Sequence, residues 1–274
     1  MLAEIRRKQI IDLLRQRENG AVSIIELSDE LRVSEMTIRR DLDFLEKKYL
    51  LRRVHGGAVA LTLEEPGTPF HERTREADFQ KKAIAQLAAR LVNEGETIIL
   101  DAGTTTREVA RNLIGRHKLT IITNNILIAE EMAQYPKINT ILLGGILKHI
   151  EVCTVGSMVK QSLSYLTADK FFLSAAGISL QRGLTDPDMA EVEIKQAMMR
   201  AAGEIILVAD STKVNITTLV QITPICEINK WVTDDNASPE IVAAVESEGV
   251  EVITPFRMQS GSYKNLDGYV KKTV

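Results

Sequence analysis

The sequence predicts two domains: an N-terminal winged helix-turn-helix over residues 1–60 and, after a linker at 61–75, an α/β domain with a largely parallel sheet over 76–254, leaving 255–274 as a C-terminal tail. Three observations predict it. The first sixty residues carry three helical patterns in close succession and then two short apolar runs around His55-Gly56-Gly57. The stretch "LTLEEPGTPFHERTREAD" loses apolar periodicity and holds two prolines and a glycine, which marks a linker. Beyond it, strand-like runs alternate with helix-like runs.

At 274 residues and 45% hydrophobic content the chain can bury cores for both domains. No run approaches the ~18 apolar residues that span a bilayer, and "MLAEIRRKQIIDLL" has alternating polarity with no cleavage site, so a cytoplasmic protein is expected. Cys153 and Cys226 lie far apart with no C-x-x-C, which argues against a disulfide framework or a structural zinc site. The net charge of −3 is uneven: residues 1–60 hold twelve Lys and Arg against ten Asp and Glu, the remainder 22 against 27. That permits a small basic face on an acidic body.

In the first element Ile5, Ile10, Leu13 and Leu14 recur at helical spacing, and Asn19-Gly20 stop the helix. Ser23 with Glu26 has the form of a capping box, and Ile24, Leu27 and Leu31 supply the apolar stripe of a short second helix. Arg32-Val33 leave room only for a tight turn before Ser34, a good N-cap for a third helix. Two helices joined this tightly present the N-terminal half of the second outward. At about 100° per residue, Ile38, Leu42 and Leu45 face inward; Met36, Arg40 and Lys47 point away, with Thr37 and Arg39 on the flanks. These side chains, with Ser34, are placed to enter a major groove or grip phosphates. Asp43, four residues after Arg39, offers an ordinary helix pair instead, whereas Arg40 has no acidic residue at that spacing. Phe44, on an outer flank, is expected to pack under the following hairpin. "LLRRVHGGAVAL" reads as that hairpin, a wing whose Arg52, Arg53, His55 and Gly56 meet the DNA backbone; His55 serves equally well as a turn residue alone.

"VSEMTIRRDLDFLE" followed by "LLRRVHGGAV" resembles the N-terminal winged helix-turn-helix of the DeoR family of bacterial sugar-metabolism regulators. Thr37, Arg39 and Arg40 match its recognition-helix positions, and Arg53, His55, Gly56 and Gly57 its wing. Tyr49 departs from the family, which has Gly after the recognition helix; at a left-handed position that costs on the order of 1 kcal/mol and reshapes the loop.

In the second domain a longer helix places Ile84, Leu87, Ala88 and Leu91 on one face and ends near Asn93-Glu94-Gly95. The strand-like runs are "TIIL", "LTIIT", "INTILL", "KFFLSAAG", "EIILVA" and "KWVT". Ligands of parallel sheets bind beyond strand C-termini, so the residues that follow matter most. After "TIIL" comes "DAGTTTREVA": backbone N–H groups at a helix start, joined by Thr hydroxyls, make a phosphate cradle, and N-capping by a Thr explains the same residues. It lacks the G-K-[ST] ending of a P-loop. Other strands end in Asn124-Asn125, Gly144-Gly145, Gly177 and "DSTK", Asp210 to Lys213. So many polar or glycine-rich strand ends favour one shared pocket.

This half also resembles the DeoR family through "DAGTTT", "TNN", "LLGG", "GLT" and "DSTK". The resemblance implies a sensor domain similar in fold to ribose-5-phosphate isomerase that binds phosphorylated sugars. It further implies that Asp101, Gly103, Thr104 and Thr105 hold the phosphate or nearby hydroxyls, while Asn124, Gly144, Lys195, Asp210 and Lys213 line the rest of the pocket. Glu191, four residues before Lys195, offers a surface helix pair as the alternative for that lysine.

The leading expectation is a repressor of a carbohydrate-metabolism operon, with a double-stranded DNA operator and a phosphorylated sugar as partners and no cofactor. One helix-turn-helix reads few base pairs, so a homodimer or homotetramer is expected. The enzyme alternative is an aldose–ketose phosphate isomerase with Glu191 or Glu193 as general base, against which two solvated carboxylates is the simpler reading. A third reading gives the N-terminal helices protein contacts only. His55, His71, His117 and His149 are scattered, without metal or triad spacing.

Overall fold

A computed structural model describes residues 3–16, 21–47, 51–54, 56–59, 70–74 and 77–259, and the chain divides into two compact units, Met1–Glu65 and Pro66–Val274. The expected helix stop at Asn19-Gly20, Tyr49, His55, most of the linker and the tail from residue 260 lie outside the described residues.

The first unit contains α1 (Ala3–Gln16), β1 (Ala21–Ser23), α2 (Ile24–Leu31), α3 (Glu35–Lys47), β2 (Arg52–Val54) and β3 (Gly57–Val59). Ile10, Leu14, Ile24, Leu27, Leu31, Ile38, Leu42 and Leu45 form one apolar cluster on the expected inward faces, whereas Ile5 is 52% exposed and Leu13 only partly buried, so α1 packs through a narrower stripe than its spacing offered. The capping box closes: Ser23 Oγ accepts from Glu26 N–H at 3.1 Å, and the Glu26 carboxylate from Ser23 N–H at 2.8 Å. Between α2 and α3 the chain turns through Arg32 at φ 53°, and the Ser28 hydroxyl donates to the Val33 carbonyl at 2.6 Å. The wing has three strands in the order β1-β3-β2, since the residues just before the capping box pair with β3. Gly57 allows that pairing, because a Cβ there would lie 2.2 Å from the Val22 carbonyl oxygen.

The second unit contains α4 (Phe70–Arg73), α5 (Asp78–Arg90), β4 (Thr97–Leu100), α6 (Thr104–Asn112), β5 (Leu119–Thr123), α7 (Ile126–Met132), β6 (Ile138–Leu142), β7 (Ile146–Lys148), β8 (Cys153–Val155) and α8 (Ser157–Leu163). It continues with β9 (Ala168–Leu173), β10 (Gly177–Ser179), β11 (Gly183–Asp186), α9 (Met189–Arg200), β12 (Ala202–Val208), β13 (Val220–Thr223), β14 (Lys230–Val232), α10 (Pro239–Ser247), β15 (Glu251–Ile253) and α11 (Pro255–Gln259). Helices α4 and α11 form where a linker and a tail were expected.

Seven strands make one parallel sheet in the order β15-β14-β12-β9-β4-β5-β6. Six are the expected runs and β15 is added. Their near-continuous apolar character follows from burial on both faces. Ile99, Phe171, Leu207 and Trp231 join α8, α9 and α10 in one core, while Ile98, Leu100, Phe172, Ile206 and Val232 join α5, α6 and α7 in the other. From β4 the chain adds β5 and β6 on one side, then crosses back to build β9, β12, β14 and β15 on the other. The building direction of the sheet reverses between β4 and β9, the position beyond whose C-terminal strand ends open parallel sheets bind ligands. No helix among the described residues is long and apolar enough to cross a membrane.

Candidate functional site

In the first unit α3 carries the residues expected to face nucleic acid. Met36 is 60% exposed, Arg39 and Arg40 are exposed, and Thr37 is half-buried, its hydroxyl 2.9 Å from that of Ser34. Ser34 Oγ also accepts from Thr37 N–H at 3.4 Å, as an N-cap does. Arg40 makes no ion pair with any described residue. Arg39 pairs with Glu35 at 3.2 Å and not with Asp43, as its spacing had offered. Asp43 instead holds Arg53, whose N–H also donates to the Glu46 carboxylate at 2.8 Å, so this wing arginine is tied back to α3. Gly56 turns the wing at φ 84°. Lys47 and Arg52 lie on α3 and β2; their side chains are outside the described residues. Phe44 does not pack under the hairpin: it is 41% exposed beneath the Arg7 guanidinium, 3.7 Å from ring to Cζ. Sequence spacing also missed buried Asp41, which accepts from Arg6 Nε at 2.5 Å and Arg7 Nε at 2.8 Å and so fixes α1 to α3.

In the second unit the C-terminal ends of the adjacent strands β4 and β9 bring together Asp101, Gly103 and Lys195 of the expected pocket residues, around Ser174. Asp101 follows β4 and is 2% exposed. Its Oδ2 accepts from Ser174 N–H at 3.0 Å, from Ser174 Oγ at 2.6 Å and from Lys195 Nζ. Lys195, also 2% exposed, further donates to the Ser174 carbonyl at 3.2 Å and lies 3.6 Å from Asp186. The surface helix pair is thereby overturned. Burial pulls the ammonium's pKa down, but Asp101, Asp186 and Glu191 outweigh it and the net shift is upward. Ser174 and Asp186 were not foreseen, although Ser174 stands directly after the "KFFL" run.

Gly103 caps α6 without a side chain, and a Cβ there would lie 2.9 Å from Ser174 Oγ. The first-turn N–H groups of α6 therefore have no side-chain cap. Thr104 and Thr105 are largely buried and their hydroxyls bond no described residue, whereas Thr106 turns its hydroxyl to the Asp101 and Gly103 carbonyls at 2.7 and 2.8 Å. Asn124, beside Asp101 on the next strand, donates to the Thr154 carbonyl at 2.8 Å and leaves its buried Oδ1 without a donor. Gly144, after β6, is exposed, and a Cβ there would meet nothing within 4 Å. Beyond β12, Asp210 caps a 3-10 turn over Ser211–Lys213 by accepting from Thr212 N–H at 3.1 Å. Lys213 is half-buried and pairs with no described carboxylate. Along the sheet the order is thus Asp210, Ser174, Asp101, Asn124, Gly144, all at C-terminal strand ends.

A second charged layer lies beside Lys195. Lys148 pairs with Asp188 and sits 3.4 Å from Glu191, while Arg73 pairs with Glu151. Burial, then the nearby Glu151 charge, pushes the Glu191 carboxyl up to about 8, and burial pushes Glu151 up as well, against the pull of Arg73. Val152, next to Glu151, is β-branched yet has φ 51°, a conformation that costs on the order of 1–2 kcal/mol. Burial and the surrounding carboxylates raise the Cys153 thiol far above its ordinary value, making it a poor nucleophile. Glu193 is exposed and pairs with Lys160 at 2.8 Å. No cluster of three potential metal ligands exists among the described residues.

Residues 6–64 match the DeoR-like helix-turn-helix domain and residues 77–235 the DeoR C terminal sensor domain. The chain is 35% identical over 247 residues to the HTH-type transcriptional regulator GolR of Listeria innocua, covering 90% of this chain and 96% of that protein. It is 32% identical over 235 residues to the glycerol-3-phosphate regulon repressor of Haemophilus influenzae, covering 86% and 91%. A distant likeness in three dimensions is to ribose 5-phosphate isomerase A of Neisseria gonorrhoeae, with TM-score 0.36 and 15% identity over 51% of this chain and 54% of that one. With both family domains matched in order and relatives matched nearly end to end, the chain belongs to the DeoR family of helix-turn-helix transcriptional regulators.

Proposed function

We propose that this regulator is a cytoplasmic repressor of a carbohydrate-metabolism operon whose affinity for its operator is set by a phosphorylated sugar. The observation that carries the proposal is the start of α6. It is a helix N-terminus without a side-chain cap, flanked by the unpaired Thr104 and Thr105 hydroxyls, at the switch point of a parallel sheet. Such an end attracts a phosphate. Asp101, Asn124, Asp210 and Lys213 offer partners for hydroxyls and a further cation for the anion; Lys195 holds Asp101 in place. Exposed Gly144 borders the pocket. A relative named for a glycerol-3-phosphate regulon supports a phosphorylated polyol as effector. We assign Met36, Thr37, Arg39, Arg40 and Lys47 to the groove and Ser34, Arg52, His55 and Gly56 to the DNA backbone, with Arg53, held by Asp43 and Glu46, meeting the backbone only by leaving that pair. Kinship to regulators and repressors displaces the isomerase alternative. A ribose-5-phosphate isomerisation assay is expected to stay at the buffer blank.

The test is binding to the DNA upstream of the protein's own gene, at two salt concentrations, with and without a panel of sugar phosphates. Saturable, salt-sensitive binding released by one of them is expected. In Arg40→Ala, a lost phosphate contact weakens every DNA alike and lowers the salt slope by about one; a lost base contact relaxes specificity at one position. Unchanged binding of the variant in both respects removes Arg40 from the interface.

A further inference from the structure

Residues 70–74 begin the described part of the second unit and follow the chain segment that comes from the first. They are fastened to α6, whose start follows Asp101, and to the Ile150–Glu151 segment after β7. Phe70 is 1% exposed, its N–H donates to the Ile150 carbonyl at 3.1 Å, and the Arg107 guanidinium lies 6.0 Å from its ring. Arg107 stands on the first turn of α6, and bidentate bonds to Glu131 at 2.7 and 3.1 Å hold it in place. One turn on, Arg73 pairs with Glu151, and buried Lys81 donates to the Arg73 carbonyl. Glu151 feels the charges of Lys195 and Asp186 and acts in turn on Glu191, and its neighbour Val152 holds the strained backbone. A non-glycine residue in that region persists only while its surroundings hold it there.

We propose that Phe70–Thr74 is a latch that reads occupancy of the proposed effector site and passes it along the chain toward the DNA-binding unit, with Arg73 and Phe70 as its positioning residues. The inference rests on the phosphorylated-sugar reading above. An anion arriving at α6 acts on both anchors. It bears on the helix that carries Arg107, and it competes with Glu151 and Asp101 for the field of Lys195, changing the grip of Glu151 on Arg73. Both effects distinguish a filled site from an empty one, which a ligand must do to shift any equilibrium.

The experiment uses the full chain, the DNA upstream of its own gene, and glucose 6-phosphate, fructose 6-phosphate, ribose 5-phosphate, glycerol 3-phosphate and inorganic phosphate as probes. In Arg73→Gln and Phe70→Leu, probe affinity and probe-free DNA affinity are expected to stay within about threefold of the parent, while probe-driven DNA release falls from at least about fivefold to under about twofold. Arg73→Lys is expected to restore part of the release. By linkage, DNA then ceases to alter probe affinity as well. Variants that release DNA as the parent does overturn the latch. Should a variant fail to fold, hydrogen exchange of the parent decides: the amides of Phe70 and Thr74, both hydrogen-bonded, are expected to change protection at saturating probe, and unchanged protection overturns the proposal. If no probe binds, the sugar-phosphate reading falls and takes the latch with it. Binding with coupling intact in the variants removes the latch alone.

Discussion

Lys195 and Glu191 sit one helical turn apart on α9, yet each finds its partner elsewhere: Lys195 on Asp101, 94 positions away, and Glu191 beside Lys148. Sequence spacing reveals only neighbours on the same helix, so it offered the pair that the fold declines. The same limit hid Arg53 on Asp43 and both arginines on Asp41. By contrast the placement of Asp101, Gly103, Thr104 and Thr105 at the C-terminal end of a sheet strand was legible, because a strand followed by a helix leaves its connecting residues at one edge of the sheet. Burial of Glu191 has a measurable consequence. Its proton is held more tightly in the folded chain than at the ordinary 4.5, so between about 4.5 and 8 the folded state binds more protons than the unfolded one. Stability therefore falls as pH rises through that window. Glu191→Gln is expected to match the parent near pH 4 and to gain on it progressively up to pH 8, with part of the slope left to Glu151. Urea unfolding at several pH values checks this, and parallel profiles for the two proteins contradict it.

Among the elements, those marked by a cap, an apolar stripe, an apolar run or a turn signal were legible and the others were not. Helices α2, α3 and α5 and six of the seven sheet strands announce themselves through caps, apolar stripes or apolar runs. Strands β1, β7, β8 and β10 span three residues each, too few for alternation to register, and pair only because tertiary neighbours lie beside them. Helix α4 was masked by the prolines that precede it; its apolar anchor is a single Phe70. The wing illustrates how one residue decides an element. Gly57→Ala would push a methyl against the Val22 carbonyl, forcing β1 from β3. A loss of about 1–3 kcal/mol is expected, with weaker DNA binding, measured by thermal unfolding and fluorescence anisotropy. A variant as stable as the parent would show that the sheet edge yields freely.

At the scale of the whole molecule, the charge pattern is reflected in the two units: Arg39 and Arg40 are exposed on α3, and the larger, acidic unit buries the Asp101–Lys195 pair. One recognition helix touches only a few base pairs, so we propose that operator selection uses at least two chains acting together. Light scattering at micromolar concentration is expected to give a dimer or tetramer; a monomer bound to a single half-site would contradict that. The strand order bears on how such a chain matures. Asp101 stands at the end of the first sheet strand made, but Ser174 and Lys195 follow it by 73 and 94 residues. During synthesis the α6 start emerges long before the groups that surround it, and pairing β4 with β9 must await the stretch of chain that separates Asp101 from Ser174, 73 positions on. On the proposed reading a chain cut short before α9 lacks Ser174 or Lys195 around Asp101, so in a growing cell the signal is read only by chains synthesised past that helix.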